Sequence, residues 1–278
     1  RLSGPLVPLC TAFKRHFFIK VNHFDVSLRL TDTDWLNHLL NIPLDIERPM
    51  TLRLSLDDAL NQIDLKGNLP LVTYDGKRYR NTMIDISTAR DTMKYDLRLT
   101  KEMDDGDLLD LNLDGQAIDN HLLASLHWNN DESARDSLEL MRGVINTVTQ
   151  LYNNEQGEGE AHVRILPSQI MAQGTPWTME PCDIIYSPNR LVVDHFSLNH
   201  NRQHLIIEGI ASEHPTDSLS IDMNGLDVGY ILDLVNFHSV SFDGLATGRA
   251  YMKQLFSDFS AWAELSVDQF KFQDGRMG

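Results

Sequence analysis

The chain has 278 residues, 42% of them hydrophobic and 23% charged, and a formal net charge of −16. That length suffices for one large all-β unit or two small domains, and the composition excludes wholesale disorder. The acidity, with no basic stripe, excludes a nucleic-acid partner, and no apolar run approaches the roughly 20 residues that span a bilayer.

Apolar residues alternate with polar ones along most of the sequence. Ser27-Leu28-Arg29-Leu30-Thr31 is the first such ribbon. Asp32 to Leu40 follows, with capping residues and an apolar stripe at Trp35, Leu36, Leu39 and Leu40 before Pro43, which predicts a short helix near 32–42. Period 2 then returns at Thr51-Leu52-Arg53-Leu54-Ser55-Leu56, at Asp96-Leu97-Arg98-Leu99-Thr100 and at Leu109-Asp110-Leu111-Asn112-Leu113. The stretch Arg142 to Leu151 is rich in β-branched residues and reads as a strand despite a partly helical spacing. Leu219-Ser220-Ile221-Asp222-Met223 is the last clear ribbon, and Asp227 to Val235 reads as a possible second helix.

Asp75-Gly76, Asp105-Gly106, Asp114-Gly115, Asn224-Gly225, Asp243-Gly244 and Asp274-Gly275 supply the positive φ angles of tight turns, and six of them predict a meander. The acidic stretch 153–160 reads as a linker or exposed loop between a first β segment, 1–152, and a second, 161–278. The expected fold is therefore all-β: a long, mostly antiparallel sheet with one or two short helices. Such a sheet must close into a sandwich or curl into a trough.

No catalytic constellation emerges, and the chain is not expected to be an enzyme. His195, His200 and His204 lie close in sequence, but alternating ribbons do not bring them to one face, and no zinc-binding spacing exists. No metal or other cofactor is expected. Asp104-Asp105-Gly106-Asp107 lacks the closing glutamate of a calcium loop and reads as a polar hairpin. Carboxylate pairs for glycoside hydrolysis cannot be selected from 40 acidic residues. Trp128, Trp177 and Trp262 are expected in the sheet core. Cys10 and Cys182 are expected as free buried thiols, pairing being the alternative in an oxidising compartment.

The second half carries an ordered series of segments. They are Val163-Arg164-Ile165-Leu166-Pro167-Ser168, Pro176-Trp177-Thr178-Met179-Glu180-Pro181, Val192-Val193-Asp194-His195-Phe196-Ser197-Leu198, and Gln203-His204-Leu205-Ile206-Ile207-Glu208-Gly209-Ile210-Ala211-Ser212. Val240-Ser241-Phe242-Asp243-Gly244-Leu245-Ala246-Thr247-Gly248-Arg249-Ala250 and Phe270-Lys271-Phe272-Gln273-Asp274-Gly275-Arg276-Met277-Gly278 complete it. The series resembles the TamB-like translocation and assembly module proteins of Bacteroidetes, within the AsmA-like group. The resemblance is densest from Val163 to Gly278 and weaker from Leu52 to Trp128.

The resemblance implies a taco-shaped sheet with an apolar inner face, in a periplasmic bridge anchored in the inner membrane and reaching toward an Omp85-type outer-membrane barrel. It implies a part in outer-membrane protein assembly and in phospholipid transfer between membranes. The chain begins at Arg1 and ends at Gly278 as though cut from a longer protein, and an interior piece is expected.

An open trough offers acyl chains a dry path. Its expected lining is Leu109, Leu111 and Leu113, with Leu122, Leu126 and Trp128, then Leu205 and Ile207, Leu219, Ile221 and Met223, and finally Leu265 and Val267. Their off-phase neighbours (Asp110, Asn112, His127, Ser220, Asp222 and Ser266) are polar. Two other classes remain open: a secreted carbohydrate-binding or carbohydrate-active β-sandwich, and a structural β spacer with a closed core.

Overall fold

The computed structural model describes residues 23–34, 37, 43–103, 106–131, 133–134, 139–154, 157–227 and 241–273. About 75% of these lie in strands and essentially none in helix, so the protein is all-β, and its strand pairs are antiparallel. They fall into two compact units. One takes in the described residues up to Tyr152 together with Ile170–Thr175; the other takes in Asn153–Gln169 and the described residues from Pro176 onward.

The first unit holds β1 (Phe24–Leu30), β2 (Leu44–Ile46), β3 (Met50–Asp57), β4 (Gln62–Tyr74), β5 (Lys77–Ala89), β6 (Thr92–Glu102), β7 (Leu108–Ile118), β8 (His121–Asn129) and β9 (Arg142–Asn153). From β3 to β9 each strand pairs with the next in sequence, and β1 pairs with β3. The end of β11 (Ser168–Ala172) adds to β9 through Ile170 opposite Gly143. β2 and β3 share one edge of β4, because Pro49 has no N–H to give the ladder and the strand breaks there.

The second unit holds β10 (Gly159–Ile165), β12 (Thr175–Met179), β13 (Cys182–Ser187), β14 (Arg190–His200), β15 (Gln203–Ser212), β16 (Ser218–Asp227), β17 (Ser241–Lys253) and β18 (Ser260–Gln273). β10 pairs with β13, and the meander then runs without interruption to β18. β12 and β13 share the edge of β14, broken at Pro181 as β3 is at Pro49. Before β10, Asn154 N–H donates to the Glu158 carbonyl at 2.8 Å.

The turn assignments are corrected at three places. Asp114-Gly115 lies inside β7, where the Tyr95 ring covers the glycine; Asn224-Gly225 and Asp243-Gly244 sit at register shifts within β16 and β17. Asp75-Gly76 is a hairpin turn, with φ of 49° and 74°. Gly106, at φ 87°, lies between β6 and β7, while Asp105 and Asp274-Gly275 lie outside the described residues. Other hairpins place Asn61, Arg90, Asp119 and Asn201 at positive φ with no glycine following.

Arg142 to Leu151 is strand, as part of β9. Most of 32–42 and all of 228–240 lie outside the described residues. Among those described, Asp34 and Asn37 are helical, and Asn37 N–H donates to the Thr33 carbonyl at 2.9 Å.

Cys182 is a buried free thiol, and burial, with Asp183 and Asp194 nearby, pushes its pKa up; Cys10 lies outside the described residues. Trp128 and Trp177 are half-buried. Trp262 corrects the expectation of a core tryptophan: it is 47% exposed, because among the described residues β18 pairs with β17 alone and the indole stands on the polar side of that pair, against Tyr251 at 5.2 Å.

Candidate functional site

Residues directly opposite one another in an antiparallel pair project to the same face, so the register sorts every side chain. In the first unit one row crosses eight strands: Leu28, Leu52, Gly67, Ile84, Leu97, Leu113, Leu126 and Ile145. The neighbouring row on the same face is Val26, Leu54, Leu65, Ile86, Tyr95, Gly115, Ala124 and Thr147. The opposite face carries Ser27, Arg53, Lys66, Asp85, Asp96, Asp114, Ser125 and Asn146 in register. Eight positions span seven strand spacings, about 34 Å at ~4.8 Å each.

Five of the six candidate lining residues of this unit are half-buried, and Leu126 is 38% exposed. Leu111 lies opposite Leu99 and Trp128, Leu113 opposite Leu97 and Leu126, Leu122 opposite Ala117 and Thr149, and Leu109 opposite Lys101. Much of the apolar face is thus left partly open to solvent. Its densest packing is at one end, where Leu30, Ile46, Met50 and Val72 are buried against Leu44, Leu52 and Leu69.

The second unit repeats the arrangement. Val163, Ile184, Val193, Gly209, Leu219, Met252 and Ala261 form one row, and Phe196, Ile207, Ile221, Ala250 and Ala263 the next. Leu205 lies opposite Leu198 and Met223, Leu265 opposite Gly248, and Val267 opposite Ala246. Here Leu219 and Met223 are fully buried, whereas Leu265 is 45% exposed.

One device was not read from the sequence: β-bulges hold the apolar residues on one face where their spacing changes phase. In β14, Leu191 and Val193 share a face with Phe196 and Leu198, because an extra residue intervenes and His195 takes φ 94°. In β16 the extra residue at Asn224-Gly225 does the same for Met223 and Leu226. The signal was available as a three-residue step, Val193 to Phe196, in an otherwise two-residue alternation.

Two aromatic side chains on this face occupy the space above glycines. A methyl group at Gly143 would come within 2.7 Å of Trp128 Cη2 and 2.8 Å of Ile170 Cγ2, so the indole rests on the β9 backbone. Tyr95 reaches across Gly115 and donates its hydroxyl to the Leu123 carbonyl at 2.7 Å. Burial, and secondarily the charge of Asp114, raises its phenol pKa.

The polar faces carry ion pairs. Arg164 holds Asp183 with bonds of 2.8 and 2.9 Å, and Arg78 joins Glu47 and Glu102, which also meets Arg80. The three histidines weighed as ligands are dispersed among other partners: His195 on Glu208 at 2.8 Å, His200 on the Pro176 carbonyl at 2.6 Å, and His204 on Asp222 at 3.0 Å. Among the described residues no group of three His, Cys, Asp or Glu is placed to hold a metal ion. Two shallow concavities, of about 290 and 540 Å³, are lined mainly by polar-face residues, including Asp110 and His127 in one and Asp85 and Asp96 in the other. No family model matches the chain, and no curated protein or solved structure matches it either.

Proposed function

We propose that the chain is a segment of a TamB-like bridge that carries phospholipid acyl chains along its apolar sheet face, without catalysis and without a cofactor. One observation carries this reading: an apolar row eight strands wide that is left half-open. Its length of about 34 Å exceeds the reach of one acyl chain, since two such chains fill a bilayer core about 30 Å thick. Each Å² of methylene surface laid on the row contributes about 25 cal/mol, and the polar row on the reverse face keeps the sheet hydrated.

Rings seated over glycines also favour a chain of methylenes over a protein partner, which needs shaped pockets for its anchoring side chains. In the longer protein the segment lies in the periplasm, between an inner-membrane anchor and an Omp85-type barrel. A glycan-binding reading has exposed Trp262 in its favour, but that ring is stacked on Tyr251 and has the Lys253 ammonium 5.3 Å from its centroid.

The test is solvent extraction of the chain purified from a cell envelope, followed by lipid mass spectrometry. Phospholipid retained by the unaltered chain and lost on Leu111→Asp supports the reading; equal, trace amounts in both overturn it.

A further inference from the structure

The Trp128 indole packs directly over Gly143 of β9, where a side chain would collide with its Cζ2 and Cη2 atoms, and the adjacent Ile170 methyl leaves no room for one. Trp128 also stands opposite Leu111 across β7 and β8, on a partly open part of the face, beside exposed Leu126. A ring seated that close to the backbone adds contact area and rises less above the sheet than one held away from it. A ring lifted off it would stand as a step across the row.

From this we infer that Gly143 sets the height of the apolar track, and that the Gly143–Trp128 pair decides how bulky an acyl chain passes over β8 and β9. The inference rests on the acyl-chain reading above and deepens it. Normal carbon contacts lie near 3.5–4.0 Å, so a methyl at 143 would push the indole outward by about 1 Å or turn it from its rotamer. Gly143 is not in the left-handed region, so an alanine there asks nothing unusual of the backbone. Its effect falls on the ring.

The full chain is labelled with a straight-chain C16 fatty acid bearing a terminal diazirine, and the crosslinked peptides of β7 to β9 are quantified. Gly143→Ala is expected to lower labelling there about fivefold, as overpacking by one methyl does in a close-fitting site. Trp128→Ala alone gives up the contact area of the ring and is expected to lower labelling less than Gly143→Ala does. Gly143→Ala combined with Trp128→Ala is expected to return labelling to the Trp128→Ala level, because no ring remains to be lifted. Unchanged labelling in Gly143→Ala overturns the inference, and so does a double variant that stays as low as the single one. If the unaltered chain takes no label, the acyl-chain reading itself fails and this inference with it; labelling of the unaltered chain with no response at position 143 leaves that reading standing and removes this inference alone.

Discussion

Arg249 Nε donates to the Asp222 carboxylate at 2.6 Å across the β16–β17 pair, and the other oxygen of that carboxylate lies 3.0 Å from His204 Nε2 on β15. One side chain thereby ties three consecutive strands on the polar face. The bonds from His204 and from Arg249 hold the Asp222 carboxyl below its ordinary range. A depressed carboxyl contributes stability that is complete above the unfolded value, near pH 3.9, and is lost as pH falls through the lower folded value. Melting curves of the unaltered chain and of Asp222→Asn should therefore differ by a constant gap above about pH 5 that closes below pH 4. A gap that does not narrow as pH falls below 4 counts against the pairing.

A charge tells an open face from a closed one. Leu111 is half-buried on the open row, and Leu111→Asp is expected to cost under about 1.5 kcal/mol because the carboxylate reaches water. Leu219 is 5% exposed, and Leu219→Asp is expected to cost about 3–5 kcal/mol for an unpaired buried charge. Urea unfolding of the two variants separates the outcomes, and a loss at Leu111 as large as that at Leu219 would show that both rows are closed.

Removing His195 tests the bulge in β14. With His195 removed, Val193 and Phe196 stand two residues apart, so plain alternation keeps Phe196 and Leu198 on the apolar face and the bulge is absorbed. That deletion is expected to cost no more than about 1–2 kcal/mol. Deleting Ser197 instead leaves Phe196 and Leu198 adjacent, which turns one of them to the polar face whichever way the strand settles, and is expected to cost several kcal/mol, or roughly 10 °C in melting temperature for a chain of this size. Equal costs for the two deletions would count against the bulge.

Met50 is 5% exposed in the cluster with Leu30, Ile46 and Val72. Met50→Ala is expected to lose about 2–4 kcal/mol, measured by denaturant titration with an unchanged slope.

Much of this architecture is legible in the residues. Leu109, Leu111 and Leu113 announce their shared face by alternation alone, and the pairing of neighbouring strands then joins them to Leu97, Leu99, Leu126 and Trp128. Glycine dipeptides misled where the glycine serves something other than a turn. Gly115 makes room for Tyr95, Gly225 completes a bulge, and the hairpins at Arg90 and Asp119 use positive φ without glycine. The seat of Trp128 over Gly143 was not legible, because it depends on which residue of β9 lies opposite, and one slip of register would replace Gly143 with Val144.

From β3 to β9, and again from β13 to β18, each strand pairs with its neighbours in the chain, so no distant segment has to be recruited to complete a row. Growth of such a sheet is modular. Duplicating one hairpin inserts two strands, extends each row by about 9.6 Å, and leaves every other pairing in place. The reach of the apolar row is therefore a heritable length, adjustable in steps of two strands by ordinary gene duplication.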